Sequence, residues 1–258
     1  MNEVRLSILL PVRNEGINLR LMLKMLRGMV EVPNEVLVVY DSPEDDSIPV
    51  VAEVGREYPN VRGIINTIGP GVANAIRAGV ANARGRYVLI FAADEVGPVL
   101  AIDDMLMLME QGCDLVSCTR YAYGGRRLGG SLIGGFLSQV ANRLFHRLAG
   151  SALTDSTTGI KMFRRELFDR LELSGRSVGW AVAFEISIKA QLLGARLGEV
   201  PIVSIDRLYG GRSTFSLGPW VVEYLRWFLT GTRQLRRAGR ARAPAVVRHP
   251  TLREDAAR

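Results

Sequence analysis

The residues whose types and positions suit chemistry gather just after apolar, strand-like runs. Asp94 and Glu95 follow the run Tyr87–Ala92 directly, which puts both carboxylates at the carboxyl end of a strand. A divalent cation prefers oxygen ligands, and one held there would neutralise charge on a diphosphate. The same pair also suits an ordinary acidic turn. The loop DSPEDD from Asp41 to Asp46 is open in the same way: its carboxylates can accept hydrogen bonds from a ribose or a base, yet turns commonly carry Asp and Glu. Gly69, Pro70 and Gly71 precede a helical pattern and could admit a phosphate to a helix N-terminus, without the third glycine of a dinucleotide fingerprint. Arg120, Arg126, Arg127, Arg207 and Arg212 fall in loops of the second half, where a guanidinium fork suits phosphate oxygens as readily as solvent. The two histidines, His146 and His249, lie in a helical segment and in the tail. No Ser/His/Asp or Cys/His set forms, which argues against a nucleophilic hydrolase.

The elements that must position these residues alternate. Strands are expected at Arg5–Leu10, Glu35–Tyr40, Val61–Ile65, Tyr87–Ala92 and Asp114–Cys118. Between them, apolar residues recur at helical spacing: Leu19, Met22, Leu23 and Leu26; then Val50–Tyr58 behind Pro49; then Ala73, Ile76, Val80 and Ala83; then Leu100–Glu110. Strands apolar on both faces and separated by helices predict a mostly parallel sheet covered on both sides, with ligands at the strand carboxyl ends. Further on, the spacing predicts helices at Leu132–Leu148, Phe184–Leu193 and Pro219–Leu235, with a strand over Glu199–Ile205. Gly124–Gly135, with six glycines in twelve residues, reads as an adaptable loop.

Composition narrows the class. A chain of 258 residues, 48% apolar and 23% charged, can bury a full core. No run reaches the roughly 18–20 apolar residues of a membrane span, and the N-terminus enters a strand almost at once, so a cytoplasmic protein without a signal peptide is expected. Cys113 and Cys118 flank a short apolar strand, and buried free thiols suit them better than a zinc site. From Arg226 onward nine arginines face only Glu254 and Asp255, which accounts for the whole net charge of +7. The basic character therefore belongs to the tail, where it would attract anionic lipid or nucleic acid alike.

Taken in order, several segments resemble the family 2 glycosyltransferases of the GT-A fold. Within them, the dolichol-phosphate mannose synthase-like and bacterial polyprenyl-phosphate sugar transferase group is the most similar. The segments are SILLPVRNE at Ser7–Glu15, VVYDS at Val38–Ser42, GVANAIRAG at Gly71–Gly79 and GRYVLIFAAD at Gly85–Asp94. They continue with DLVSCTRY at Asp114–Tyr121, DSTTGIK at Asp155–Lys161, EVPI at Glu199–Ile202, and Arg207 with Gly211 and Ser213. The collinear set covers roughly residues 5 to 215.

The resemblance implies a GT-A domain over residues 1–215: an open, mostly parallel nucleotide-binding sheet with helices on both faces. An amphipathic, membrane-interfacial helix would follow at 216–238 and a basic, disordered tail at 239–258. It implies nucleotide binding by Pro11, Arg13, Asn14, Glu15, Asp41 and Gly71, and catalytic roles for Asp94, Arg120 and Arg207. Mg2+ or Mn2+ would be held by Asp94 and Glu95, and acceptor or phosphate contacts would come from Arg126, Arg127, Arg212 and Ser213. It also implies that the helix around Leu132–Leu148 meets a membrane surface. Three positions depart from the family pattern: Ala92 stands for the first aspartate of D-x-D, Tyr40 for the first of two aspartates after the second strand, and Thr214 for a lysine.

The expected activity is metal-assisted, inverting transfer of a sugar from a nucleotide diphosphate (GDP-mannose or a UDP-sugar) to a polyprenyl phosphate. The protein would be cytoplasmic or peripheral on the inner face of the cytoplasmic membrane, with no nucleic-acid partner. A non-lipid glycan or small-molecule acceptor stays open, as does a catalytically impaired nucleotide-sugar-binding protein, which Ala92 would suit. A basic-tailed nucleic-acid binder finds no support in residues 1–225. A dinucleotide oxidoreductase lacks the glycine fingerprint after the first strand, where Asn14 and Glu15 stand instead.

Overall fold

A computed structural model describes residues 3–129, 132–205, 217–239 and 244–249. Its first half follows the alternation of the sequence: β1 (Leu6–Val12), α1 (Gly16–Met29), β2 (Asn34–Tyr40), α2 (Ser47–Glu57), β3 (Val61–Ile65), α3 (Val72–Asn82) and β4 (Tyr87–Ile90). A 3-10 turn at Gly97–Ala101 leads into α4 (Ile102–Glu110) and β5 (Leu115–Thr119). Then come β6 (Arg126–Leu128), α5 (Leu132–Ala149), β7 (Lys161–Arg164), α6 (Arg165–Arg170), α7 (Ala181–Leu192), β8 (Leu197–Pro201), β9 (Val203–Ile205), α8 (Leu217–Ala238) and β10 (Val246–Val247).

Eight strands form one sheet in the order β10-β8-β5-β7-β4-β1-β2-β3, and β6 pairs with β9 beside it. β1 lies between β2 and β4, parallel to both, and its residues alternate between the two faces. Leu6, Ile8 and Leu10 pack with Leu19, Met22 and Leu26 of α1 and with Met105 of α4. Leu9 enters the opposite layer, with Ile76 of α3, Phe163 of β7 and Ile186 of α7. Each fully buried Leu, Ile or Phe of this kind contributes about 1.5–3 kcal/mol, so the two layers together fix which strand lies in the middle.

Three features differ from the sequence reading. β7 runs antiparallel between β4 and β5, where no strand was expected. Only Met162 and Phe163 carry its apolar signal, one on each face, and its first residue is a lysine, so the run is too short and too charged to read as a central strand. The strand expected over Glu199–Ile205 divides at Ile202, whose N–H bonds Thr119 O while Arg126 N–H bonds its carbonyl, and β9 leaves to pair with β6. The tail expected to lack structure contributes β10, parallel to β8, with Arg248 Nε bonding Asp104 Oδ1 at 2.6 Å.

α5, α7 and α8 form a third layer. Phe145 and Ala149 of α5 and Trp227 and Leu235 of α8 close over Phe184 and Ile188 of α7. Enclosed on nearly every side, α7 carries apolar residues around its circumference, with Glu185 paired to Lys189 within the helix. Gly231 sets the approach of α8: a Cβ there would lie 2.5 Å from Ile188 Cδ1.

Candidate active site

The carboxyl ends of β1, β2 and β4 open into a cavity of about 230 Å3. Six residues singled out from the sequence line it: Pro11, Arg13, Glu15, Asp41, Gly71 and Asp94. Each reaches the cavity because parallel strands put their exit loops at one edge of the sheet. The Asp41 carboxylate accepts Gly71 N–H at 2.8 Å and Asn66 Nδ2 at 2.7 Å, so it holds the loop before α3 against β2. Gly71 has φ 106°, which a residue with a side chain rarely adopts, and the N-terminus of α3 (Val72 and Ala75) faces the cavity.

Asn14, expected to bind nucleotide, also ties its loop to the next one. With φ 54°, it donates its N–H to Asp45 Oδ2 at 3.0 Å and accepts Asp46 N–H on Oδ1 at 3.3 Å. Gly16 N–H bonds Asp46 Oδ1 at 2.9 Å. Asp45 and Asp46 thus clamp the loop after β1, and the clamp supports the cavity wall. Ala92, Ala93, Ser177, Gly179, Trp180 and Trp220 complete the lining. The sequence reading placed neither tryptophan at this cavity and took Trp220 as the start of an aromatic, basic segment, Trp220–Arg237, suited to a membrane face. Their signal was a Gly-Trp step and a tryptophan at the start of α8, and only tertiary packing joins them, since a side chain on Gly179 would collide with the Trp220 indole.

The lining carries the carboxylates of Glu15, Asp41 and Asp94 and the guanidinium of Arg13. A diphosphate entering beside those carboxylates gains from a cation between them. Among the described residues no three His, Cys, Asp or Glu side chains form a cage. The residues present therefore fit an ion held by one or two carboxylates together with substrate phosphates, the manner in which magnesium commonly binds. Asp94 lines the cavity and Glu95 sits half-buried beside it.

Under the other half of the sheet edge, at β5, β7 and β8, lies a buried charge network. Arg120 donates Nε to Asp155 Oδ2 at 2.7 Å and Nη2 to Asp155 Oδ1 at 3.0 Å, and Nη2 also reaches Thr157 Oγ1. Burial alone would raise the Asp155 carboxyl, but Arg120 holds it below the usual carboxylate range. Glu199, also buried, accepts Thr154 N–H at 2.8 Å and Asp155 N–H at 3.2 Å; burial pushes its carboxyl up to about 7 against those bonds. Lys161 Nζ donates to Ser117 Oγ at 2.8 Å, and burial lowers it to about 8 against the pull of Asp155 and Glu199. Asn142 of α5 joins by donating Nδ2 to Thr157 Oγ1 at 2.8 Å. Arg120, expected to grip substrate phosphate, thus has its fork committed to Asp155. Arg126 is exposed and Arg127 half-buried on β6, while Arg207, Arg212 and Ser213 lie outside the described residues. Cys113 and Cys118 are free and fully buried, as expected, with burial pushing both thiols up.

Fold and site together define a GT-A transferase, with a cavity at the edge of a mostly parallel sheet. The chain belongs to glycosyl transferase family 2, whose model matches residues 7–172, and it is a glycosyltransferase. A dolichol-phosphate mannosyltransferase of Mycosarcoma maydis is 25% identical over 203 residues, which span 76% of this chain and 68% of the relative. A dolichyl-phosphate beta-glucosyltransferase of Trichomonas vaginalis is 28% identical over 214 residues, 78% of this chain and 65% of the relative, so the chain spans somewhat under two thirds of that protein. The fold is shared with glucosyl-3-phosphoglycerate synthase from Mycobacterium tuberculosis, solved with Mn2+, UDP and glucosyl-3-phosphoglycerate. Its TM-score is 0.68 at 18% identity, covering 89% of this chain and 80% of that one. The same enzyme with Mn2+, UDP-glucose and phosphoglyceric acid gives 0.67 at 19%, with the same coverage.

Proposed function

We propose that the protein transfers a sugar from a nucleotide-diphosphate donor to a polyprenyl phosphate, with inversion at the anomeric carbon. The observation that carries this reading is the cavity at the β1/β2/β4 edge, where Asp94 faces the nucleotide-binding set Pro11, Arg13, Glu15, Asp41 and Gly71. The base and ribose lie along the β1 loop and Asp41, and the diphosphate lies towards Asp94. The indoles of Trp180 and Trp220 supply apolar walls that exclude water around the sugar. Asp94, with Glu95 beside it, would hold Mg2+ or Mn2+, which when bound offsets charge on the departing diphosphate. An acceptor phosphate oxygen, already anionic, bonds to the anomeric carbon as the bond to the diphosphate oxygen breaks. No base has to take a proton, in keeping with the lack of a histidine in the lining. Arg120, paired with Asp155, stands between the two halves of the edge, and Arg126 and Arg127 meet the acceptor side, to which the family resemblance also assigns Arg207, Arg212 and Ser213.

The lipid acceptor is supported by the two dolichol relatives and by the outer face of the third layer. Phe136 and Leu137 of α5 and Val222 and Leu229 of α8 are each 59–65% exposed. Exposed Arg226, Arg233, Arg236 and Arg237 share α8 with that apolar stripe, a combination that suits an anionic lipid surface. No helix among the described residues is long and apolar enough to cross a membrane.

The test is a thermal-shift panel of GDP, UDP and their sugar conjugates, with and without manganese. One nucleotide series should stabilise the protein in a metal-dependent way. In Asp94→Ala the metal-dependent part should vanish and turnover of the matching donor should fall about 10²–10³-fold, the usual effect of losing one leaving-group contact. Near-normal turnover in Asp94→Ala would remove its assignment, and indifference of the wild-type chain to every nucleotide would remove the transferase mechanism.

A further inference from the structure

α8 reaches from the donor cavity to the outer face of the molecule. Its inner stripe is Trp220, Tyr224, Trp227, Gly231 and Leu235, at helical spacing. Trp220 lines the cavity and packs on Gly179, where any side chain would collide with the indole. One turn on, burial pushes the Tyr224 hydroxyl up, with Arg120 and Asp155 near enough to act on it, so α8 touches both halves of the edge. Trp227 covers Gly175, where a Cβ would lie 3.2 Å from the indole, while Glu185 of α7 accepts Gly175 N–H at 2.9 Å. The 171–180 loop, which gives the cavity Ser177, Gly179 and Trp180, is thus held between α7 and α8.

The opposite side of α8 carries Val222, Leu225, Leu229, Arg233 and Arg236, each three or four residues after the last and all exposed. The two stripes are joined most loosely at the start of the helix. Over residues 220–222 Trp220 alone turns inward, since Val221 and Val222 are exposed, whereas Trp227 and Leu235 are buried further along. Helix ends open more readily than helix middles. When this turn opens, Trp220 leaves the cavity wall and Val222 leaves the outer stripe together. A negatively charged lipid surface, drawn by the arginines, meets more apolar side chains when the stripe is whole, and so favours the state in which Trp220 is seated.

We propose that an anionic lipid surface resting on α8 raises the nucleotide affinity of the donor cavity, with Trp220 as the positioning residue that carries the effect. Such coupling deepens the membrane part of the proposed function and rests on it. By linkage, nucleotide in the cavity strengthens attachment to lipid by the same factor.

UDP and GDP with manganese are titrated calorimetrically into the full chain without lipid, with phosphatidylcholine vesicles, and with vesicles of phosphatidylcholine and phosphatidylglycerol in equal parts. Vesicle co-sedimentation and hydrogen exchange over residues 220–222 are read on the same samples. Vesicles with phosphatidylglycerol should tighten the matching nucleotide at least about fivefold, the lower end of ordinary coupling between sites, and slow exchange over that turn. Phosphatidylcholine alone should do neither. Leu225→Glu/Leu229→Glu should bind nucleotide as wild type does without lipid and gain nothing from vesicles. Trp220→Ala should still sediment with the vesicles but lose the gain. If the wild-type chain sediments and binds nucleotide with the same affinity whether or not phosphatidylglycerol is present, or if Trp220→Ala keeps the full gain, the coupling is overturned while the transferase and membrane readings both stand. A chain that does not sediment overturns the coupling together with the membrane face, and leaves the donor cavity in place. Lipid-slowed exchange over residues 220–222 in a chain that binds neither nucleotide keeps the seating of Trp220 and removes the transferase reading.

Discussion

The two halves of the sheet's carboxyl edge reach similar ends by different construction. At β1, β2 and β4 the cavity wall is made by short loops whose backbone N–H groups are tied to Asp41, Asp45 and Asp46 on the neighbouring loop. Once the strand order is set, those loops have nowhere else to go. At β5, β7 and β8 the long 151–158 segment is held by charge instead: Arg120 grips Asp155, 35 residues on, and Glu199 receives the backbone of Thr154 and Asp155. The first half carries carboxylates into its cavity. The second buries its carboxylates beneath the loop and leaves Arg143 and Arg147 to face outward.

Removing one member from each half gives the widest separation. Asp155→Ala leaves the Arg120 guanidinium, 16% exposed, without its counter-charge. That should lower unfolding stability by about 3–5 kcal/mol in urea. Asp41→Ala removes two hydrogen bonds at an open cavity, where water can replace them, and should cost about 1–2 kcal/mol. Equal losses at the two sites would mean that the halves are not built differently.

A smaller effect separates the outer face from both halves of the edge. Leu225 and Leu229 are 53% and 60% exposed on α8, so the pair Leu225→Glu/Leu229→Glu should leave the melting midpoint and lipid-free nucleotide binding in place. If that face rests on lipid, each leucine contributes about 1.5–3 kcal/mol of burial, and co-sedimentation with phosphatidylglycerol-containing vesicles should drop at least tenfold. Unchanged sedimentation would take the membrane away from α5 and α8.

How much of this was legible in the sequence follows the same divide. β1 to α4 appear in the sequence as alternating apolar runs, and the structure meets them within a few residues because every strand but the edge strand β3 is buried on both faces. The cavity lining of Arg13, Glu15, Asp41, Gly71 and Asp94 was legible for the same reason: each lies at or just beyond a strand's carboxyl end. β7 was not legible, because two apolar residues between Lys161 and Arg164 carry no periodicity and its place in the sheet is decided by β4 and β5. The bonds linking Asn14 to Asp45 and Asp46 were not legible either, because those partners are 31 and 32 residues away.

The finest contrast lies between two fully buried glutamates, Glu35 on β2 and Glu199 on β8. Burial would raise both. At Glu35, bonds from Arg84, Ser7 and Arg62 outweigh burial and hold the carboxyl below its ordinary value of 4.5. Its contribution to stability is therefore present above pH 4.5 and lost as pH falls through the lower folded value. At Glu199 burial prevails, and the folded carboxyl titrates near 7 while the unfolded one titrates near 4.5. Between those values the folded chain binds the extra proton, so stability falls as pH rises from 4.5 to 7 and levels off above. Urea midpoints measured from pH 4.5 to 7.5 should decline less steeply in Glu199→Gln than in wild type, since glutamine has no proton to lose. Glu35→Gln should keep the wild-type slope at a lower midpoint throughout. If Glu199→Gln keeps the wild-type slope, Glu199 is ionised across the whole range, and the β5/β7/β8 half holds its loop by a full negative charge, as Asp41, Asp45 and Asp46 hold theirs.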